Sequence, residues 1–206
     1  MPSPIDAVIF DLGGVLIDWN PRHLYRRLFE DEAAMETFLA EVCAPAWNLE
    51  QDRGRPWAVA IAELSAQHPD KAELIAAYRG RWPEMLNGPI DGMVTLLEDL
   101  HAAGVPLFAL TNWSAETYPL AETLYPFLGL FRGVVVSGRI GMVKPDPAIY
   151  HHTIARFGVD PARTAFIDDS AKNVAGAQAV GLQALHFTGS QALRRDLAAL
   201  GLAAKG

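Results

Sequence analysis

Seven polar residues stand just beyond short apolar runs, and their types suit one kind of chemistry. Asp11 follows Ala7-Val8-Ile9-Phe10 and precedes Leu12-Gly13-Gly14. Thr111 and Asn112 follow the apolar run 106–110. Lys144 closes a loop that starts at Ser137, in Gly141-Met142-Val143-Lys144-Pro145. Asp168 and Asp169 follow Ala165-Phe166-Ile167, with Asn173 one helical turn further on. An aspartate can attack phosphorus and carry the phosphoryl group. Its charge repels a phosphate, so a cation must neutralise both. Hard Mg²⁺, held by one or two carboxylates, waters and the substrate phosphate, meets that need. Lys144 adds a second positive charge, and Thr111 and Asn112 offer hydrogen bonds to phosphoryl oxygens. Each residue also has a plainer reading. Asp11 could cap a turn, Asp168-Asp169 could cap the next helix, Lys144 could be solvated, Asn112 could be a turn residue and Asn173 could lie on a helix surface.

Such residues work together only if parallel strands deliver them to one rim. Apolar runs at 7–10, 106–110, 134–136, 165–167 and 184–187 read as buried strands, each bounded by polar or glycine signals. Helical patterns at 91–103, 115–124, 147–157, 172–180 and 191–200 alternate with them. That alternation predicts an α/β fold, a doubly wound parallel sheet with helices on both faces. Ligands of such sheets bind beyond the carboxyl ends of the strands, which is where the polar residues fall. Residues 21–86 break the rhythm: they hold helix formers, three of the five tryptophans (Trp47, Trp57 and Trp82) and no strand pattern. They read as a helical insertion, leaving 1–20 and 87–206 as the core. Within the insertion, 48–55 reads as a turn between helices.

Composition narrows the function classes. Half of the 206 residues are hydrophobic, as in a globular protein. Seventeen basic and 24 acidic residues give a net charge of −7, and no basic cluster makes a nucleic-acid footprint. An acidic protein that binds phosphate needs a few well-placed cations. Cys43 is the only cysteine, which rules out an intrachain disulfide and fits a cytoplasmic location. Residues 1–10 show no signal-peptide pattern, and no apolar run approaches the ~20 residues of a membrane span. A small phosphorylated molecule is the expected partner. His151 and His152 lack metal-ligand spacing, and His186, in an apolar run, reads as a core histidine.

The four segments in this order resemble the motifs of the haloacid dehalogenase superfamily, with Asp11, Thr111, Lys144 and the Asp168-Asp169 pair as their key residues. More narrowly, Asp-Leu-Gly-Gly-Val, Thr-Asn-Trp-Ser, Gly-Met-Val-Lys-Pro and Ile-Asp-Asp-Ser-Ala-Lys-Asn are similar to a branch holding a sugar-1-phosphate phosphatase and the phosphatase domain of soluble epoxide hydrolase. The resemblance covers nearly the whole chain and implies a Rossmann-like core with a helical cap at 21–86. It implies a Mg²⁺-dependent phosphatase in which Asp11 is the nucleophile. Asp11, the Gly13 carbonyl and Asp169 would hold the metal. Thr111, Asn112 and Lys144 would bind the phosphoryl group, with Lys144 also counted as catalytic. Asp168 would hold Lys144, although the two acids are interchangeable on this reading, and Asn173 would support the metal site.

One position departs from the family pattern. Most of its phosphatases place an acid two residues after the nucleophile, to protonate the leaving alcohol; here that residue is Gly13. Among insertion residues, His23 is the first candidate to supply that proton. Arg22, Arg26 and Arg27 beside it read equally well as the exposed face of a helix. Two other functions stay open. A 2-haloacid dehalogenase would need no metal, and Asp169 would repel its carboxylate substrate. A non-catalytic module on the same fold is the other, since fold alone never establishes activity.

Overall fold

The computed structural model describes residues 5–202. The outermost ends of the expected core, and the first residues of the signal-peptide reading, lie outside that range. Five strands, β1 (Ala7–Phe10), β4 (Leu107–Thr111), β5 (Gly133–Val136), β6 (Thr164–Asp168) and β7 (Gln183–His186), form a sheet in the order β5-β4-β1-β6-β7. Every neighbouring pair is parallel. The remaining strands, β2 (Ile17–Trp19) and β3 (Leu86–Pro89), form a separate antiparallel ribbon.

Parallel strands must be covered on both faces, and alternate side chains show how. Val8 and Phe10 of β1 point into one apolar cluster, which includes buried leucines of α6 (Met93–Ala102) and α11 (Ser190–Ala199). Ala7 and Ile9 point into the other, with Ile149 and Tyr150 of α9 (Pro147–Phe157) and Ala177 of α10 (Ala171–Ala179). The first cluster continues into the helical segment between β2 and β3, which comprises α1 (Arg22–Tyr25), α2 (Glu32–Glu41), α3 (Pro45–Asp52), α4 (Trp57–Gln67) and α5 (Ala72–Gly80). Its centre is aromatic: Trp57 stacks on Tyr78 at 5.5 Å, and Trp47 meets both edge-on. No helix of the described residues is long and apolar enough to cross a membrane.

Several local expectations change. Only the second half of the stretch 48–55 is a turn: α3, started by Pro45 at its first position, runs to Asp52, and the turn is confined to the residues between Asp52 and Trp57. Polarity there misleads because Asn48 and Asp52 sit one turn apart and bond each other, at 3.0 Å. The loop after β5 begins with a short helix, α8 (Ser137–Ile140), closed by Gly141 at φ 72°. The 115–124 helix shortens to α7 (Tyr118–Leu124). The β2–β3 ribbon has no sequence signal because both strands are very short. His186 is exposed at the end of β7, where Nε2 lies 2.8 Å from the Asp169 carbonyl oxygen, and is not a core histidine.

Candidate active site

Strand β1 lies between β4 and β6, so the strand order reverses beside it and the ends of three strands sit side by side. The ladder carries on past the strand: the Asp11 amide donates to the Ile167 carbonyl at 2.8 Å. Asp11 therefore emerges between Thr111, the last residue of β4, and Asp168, the last residue of β6.

Lys144 reaches this row from the loop before α9, and Asn112 holds it there. The Asn112 amide donates to the Lys144 carbonyl at 3.0 Å and accepts from the Lys144 N–H at 2.8 Å. The Lys144 ammonium lies 2.9 Å from Asp11 Oδ2 and 2.6 Å from Asp168 Oδ2, and donates to the Leu110 carbonyl at 3.1 Å. All three ionic groups are buried: Asp11 is 7% exposed, Lys144 2% and Asp168 0%. Burial works against the charge on Lys144, but Asp11 and Asp168 outweigh it and raise its pKa. One ammonium against two carboxylates leaves an excess of negative charge. Burial first, then Asp168 and Asp169 acting against Lys144, pushes Asp11 up to about 7.

Asp168 and Asp169 differ sharply in surroundings. Asp168 has its oxygens committed to Lys144, to the Ser170 N–H at 2.9 Å and to the Asn173 amide at 3.0 and 3.2 Å. Asp169 is exposed, lines the cavity and makes no ion pair among the described residues. Burial of its carboxyl, followed by the charge on Asp168, raises its pKa. Carboxylate oxygens of Asp11, Asp168 and Asp169 lie within 4.8 Å of one another. Hard oxygen donors, spaced so and under-compensated, are what a divalent cation requires.

Glycine makes part of this geometry possible. Gly14 has φ +77°, and a Cβ there would overlap the Asp169 carboxylate. Gly13 bridges to Ile17, and the chain turns back within a few residues into β2.

A cavity of about 330 Å³ opens over these residues. Asp11, Gly13, Thr111, Asn112 and Asp169 form its floor, while Trp19, Asn48, Asp52, Trp57, Trp82 and Trp113 line it from above and around. Asn48, Asp52, Gly14 and Thr117 were not legible as site residues, since only the packing of the helical segment on the core puts them there. Burial raises the Asp52 carboxyl to about 7, against the opposing effect of the Ser114 N–H. His23 does not line the cavity; its Nε2 lies 3.1 Å from Asp18 Oδ1 beside the ribbon. Arg22, Arg26 and Arg27 pair with Glu36, Glu32 and Glu84.

The model of the haloacid dehalogenase-like hydrolases matches residues 5–181. The chain belongs to that family. Within it, a sesquiterpene phosphatase of Aspergillus oryzae is 30% identical over 96% of this chain and 97% of its own. A phosphoglycolate phosphatase of Thiobacillus denitrificans is 31% identical over 87% and 82%. Among solved structures, a haloacid dehalogenase-family enzyme of Bacteroides thetaiotaomicron in a magnesium complex superposes with a TM-score of 0.73 at 22% identity, covering 93% of this chain and 100% of its own. That likeness shows the shared fold. Family membership makes the protein a hydrolase, and the three carboxylates form a group that could hold a metal ion.

Proposed function

We propose that the protein is a Mg²⁺-dependent phosphatase acting on a small phosphomonoester, with Asp11 as nucleophile. The observation that carries this is Asp11 paired to the buried Lys144, beside a second carboxylate, Asp169, that makes no ion pair among the described residues. Phosphatase relatives spanning nearly the whole chain support the same reading. In the reaction, Asp11 forms a bond to phosphorus as the bond to the alcohol oxygen breaks. The departing oxygen takes its proton from solvent; water then attacks phosphorus, giving up a proton to solvent, as the bond from phosphorus to the Asp11 oxygen breaks, which releases inorganic phosphate and restores Asp11. Lys144 holds Asp11 in place and acts on the phosphoryl group through its charge from beneath the floor, and Thr111 offers a hydroxyl at the cavity floor. Asp11, the Gly13 carbonyl and Asp169 are the groups that would hold Mg²⁺, which supplies Lewis-acid charge neutralisation when bound. Asp168 and Asn173 position Lys144. Asn112 has its side chain engaged with the Lys144 main chain, so we assign it to positioning that loop as well as to lining the floor. Residues 21–86 act as a cap, and 1–20 with 87–206 as the catalytic core.

The same charge count disfavours a dehalogenase, because Asp169 and Asp52 would both face the carboxylate of a haloacid. With Gly13 in place of an acid, turnover should fall as the leaving alcohol becomes more basic. A general acid is worth roughly 10²–10⁴ in rate. The test is hydrolysis of p-nitrophenyl phosphate with Mg²⁺, with EDTA, and in Asp11→Asn, run beside 2-chloropropionate. Turnover should need the metal and fall on the order of 10³ or more in the variant. Halide release without metal would overturn the assignment.

A further inference from the structure

The cavity above Asp11 has walls whose chemistry restricts the alcohol half of the substrate. Four of the five tryptophans line it: Trp19 from β2, Trp57 and Trp82 from the helical segment, and Trp113 from the loop after β4. Trp57, Trp82 and Trp113 are 2%, 3% and 6% exposed. Trp57 and Trp113 have already used their only side-chain donors, to Ser114 Oγ at 3.0 Å and to Thr117 Oγ1 at 3.1 Å. They therefore offer ring surface, not hydrogen bonds, to whatever enters. Trp82 and Trp113 lie 5.5 Å apart, tilted by 54°, and form one continuous aromatic wall.

Besides Thr117, whose hydroxyl accepts from Trp113, two polar side chains interrupt that wall, Asn48 and Asp52, from one face of α3 and bonded to each other. Among the described residues, no Lys, Arg or His lines the cavity. The Lys144 ammonium is enclosed beneath the floor with two carboxylates. An anionic group on the alcohol half would lose its hydration to indole faces, whose quadrupole is negative, and would meet Asp52 with no counter-charge. A hydrocarbon or ring face loses nothing polar on entry and buries its surface.

We propose that this cavity selects phosphomonoesters whose alcohol half carries no second anionic group, packs a ring or hydrocarbon face on the tryptophans, and places a hydroxyl or N–H against the Asn48–Asp52 pair. The selection rests on the phosphatase reading and sharpens it to uncharged, ring-bearing or hydrocarbon alcohols. It separates this chain from relatives whose substrate is a phosphorylated carboxylate. The Asp52 carboxyl already accepts from the Asn48 amide at 3.0 Å, and its remaining lone pairs can accept from a hydroxyl or N–H of an uncharged partner. The size of the cavity, about 330 Å³, lies at the low end of small-molecule pockets, which span roughly 300–1,000 Å³.

The experiment compares phenyl phosphate, 2-naphthyl phosphate, glucose 1-phosphate and phosphoglycolate at saturating Mg²⁺, in the wild type, Asp52→Asn and Trp82→Phe. Tryptophan fluorescence of the Asp11→Asn protein is titrated with the same compounds. The expected result is a kcat/KM for the uncharged aryl and sugar esters at least tenfold above that for phosphoglycolate. Asp52→Asn should narrow that gap, chiefly through KM. Naphthyl phosphate should quench the fluorescence at concentrations where phosphoglycolate does not. Phosphoglycolate turned over as well as the aryl esters overturns the selection while leaving the phosphatase reading intact. Quenching by naphthyl phosphate with no turnover of any phosphomonoester supports the cavity chemistry and removes the phosphatase reading. Absence of both quenching and discrimination overturns the selection outright.

Discussion

At the scale of single residues, one ammonium decides most of the site's electrostatics. Lys144 is the shared counter-charge of Asp11 and Asp168, all three out of water. Removing one partner from a buried ion pair typically costs about 3–5 kcal/mol, because the other is left uncompensated. Lys144→Met should therefore lose stability on that scale in urea unfolding at pH 7. Lys144→Met combined with Asp168→Asn should recover part of it, since one stranded carboxylate is then gone. If the double variant is no more stable than the single one, the two groups are not coupled as the distances suggest. The two acids after β6 give a second residue-scale expectation. Asp168 is saturated by Lys144, Ser170 and Asn173, whereas Asp169 is exposed toward the cavity. Asp169→Ala should raise the Mg²⁺ concentration for half activity more than Asp168→Ala does, and Asp168→Ala should lower stability more. The opposite ranking would mean that their roles are exchanged.

At the scale of elements, the turn after β1 is built around a contact that excludes side chains. Gly14 has a left-handed backbone and lies where a Cβ would overlap the Asp169 carboxylate. Gly14→Ala is strained by its φ and also pushes Asp169 away from Asp11. A loss of metal affinity of roughly 10–100-fold is the scale for disturbed support of a metal ligand. It should appear as a higher Mg²⁺ requirement with the far-ultraviolet circular dichroism unchanged. The neighbouring helix α10 is held close in a similar way. Gly176 faces the Pro145 carbonyl and the Tyr150 ring, and the Tyr150 hydroxyl donates to the Asn173 carbonyl at 2.8 Å. The Lys144 loop is thus gripped from one side by Asn112 and from the other by α9 and α10.

At the scale of the whole molecule, the helical segment meets the core along one edge. Trp57 donates its backbone N–H to Glu116 at 2.9 Å and its ring N–H to Ser114. The Ser137 hydroxyl donates to the Asp52 carbonyl, and Arg79 lies 3.8 Å from Glu116. This closure half-buries Asp52 and crowds its carboxyl, and the effect on stability has a definite sign. An unfolded aspartate loses its proton near pH ~3.9, and Asp52 in the folded protein does so near 7. Between those values the folded chain holds a proton that the unfolded chain has released. Stability therefore falls as pH rises through that window, and the penalty is complete above it. Asp52→Asn removes the ionisation, so it should raise Tm at pH 8 by roughly 2–4 °C for each kcal/mol recovered and leave Tm nearly unchanged at pH 4. A gain of the same size at both pH values would mean that the carboxyl is not buried in the folded protein.

The parallel sheet and its flanking helices were readable from the chain alone, because both signals are local. Buried strands are continuous apolar runs, and amphipathic helices repeat every 3.6 residues. The rim residues were readable for a related reason. A parallel sheet sends every strand's carboxyl end to the same side, so Asp11, Thr111 and Asp168 must share a neighbourhood once the strands are assigned. What only the tertiary structure decided involves contacts between distant segments. The β2–β3 ribbon pairs residues about 70 apart and too few to leave a pattern. Asn112 bonds to Lys144 from 32 residues away, so its side chain serves the loop. Gly14 is constrained by Asp169, far along the chain. The cavity itself could not be read from composition. In sequence Trp57 and Trp82 read as packing of the insertion and Asp52 as part of a polar turn, while Trp113, beside the rim, reads equally as pocket lining or packing. They become one wall only because the helical segment folds back over the strand ends, and hydrophobic burial, being non-directional, does not say in advance which faces will meet.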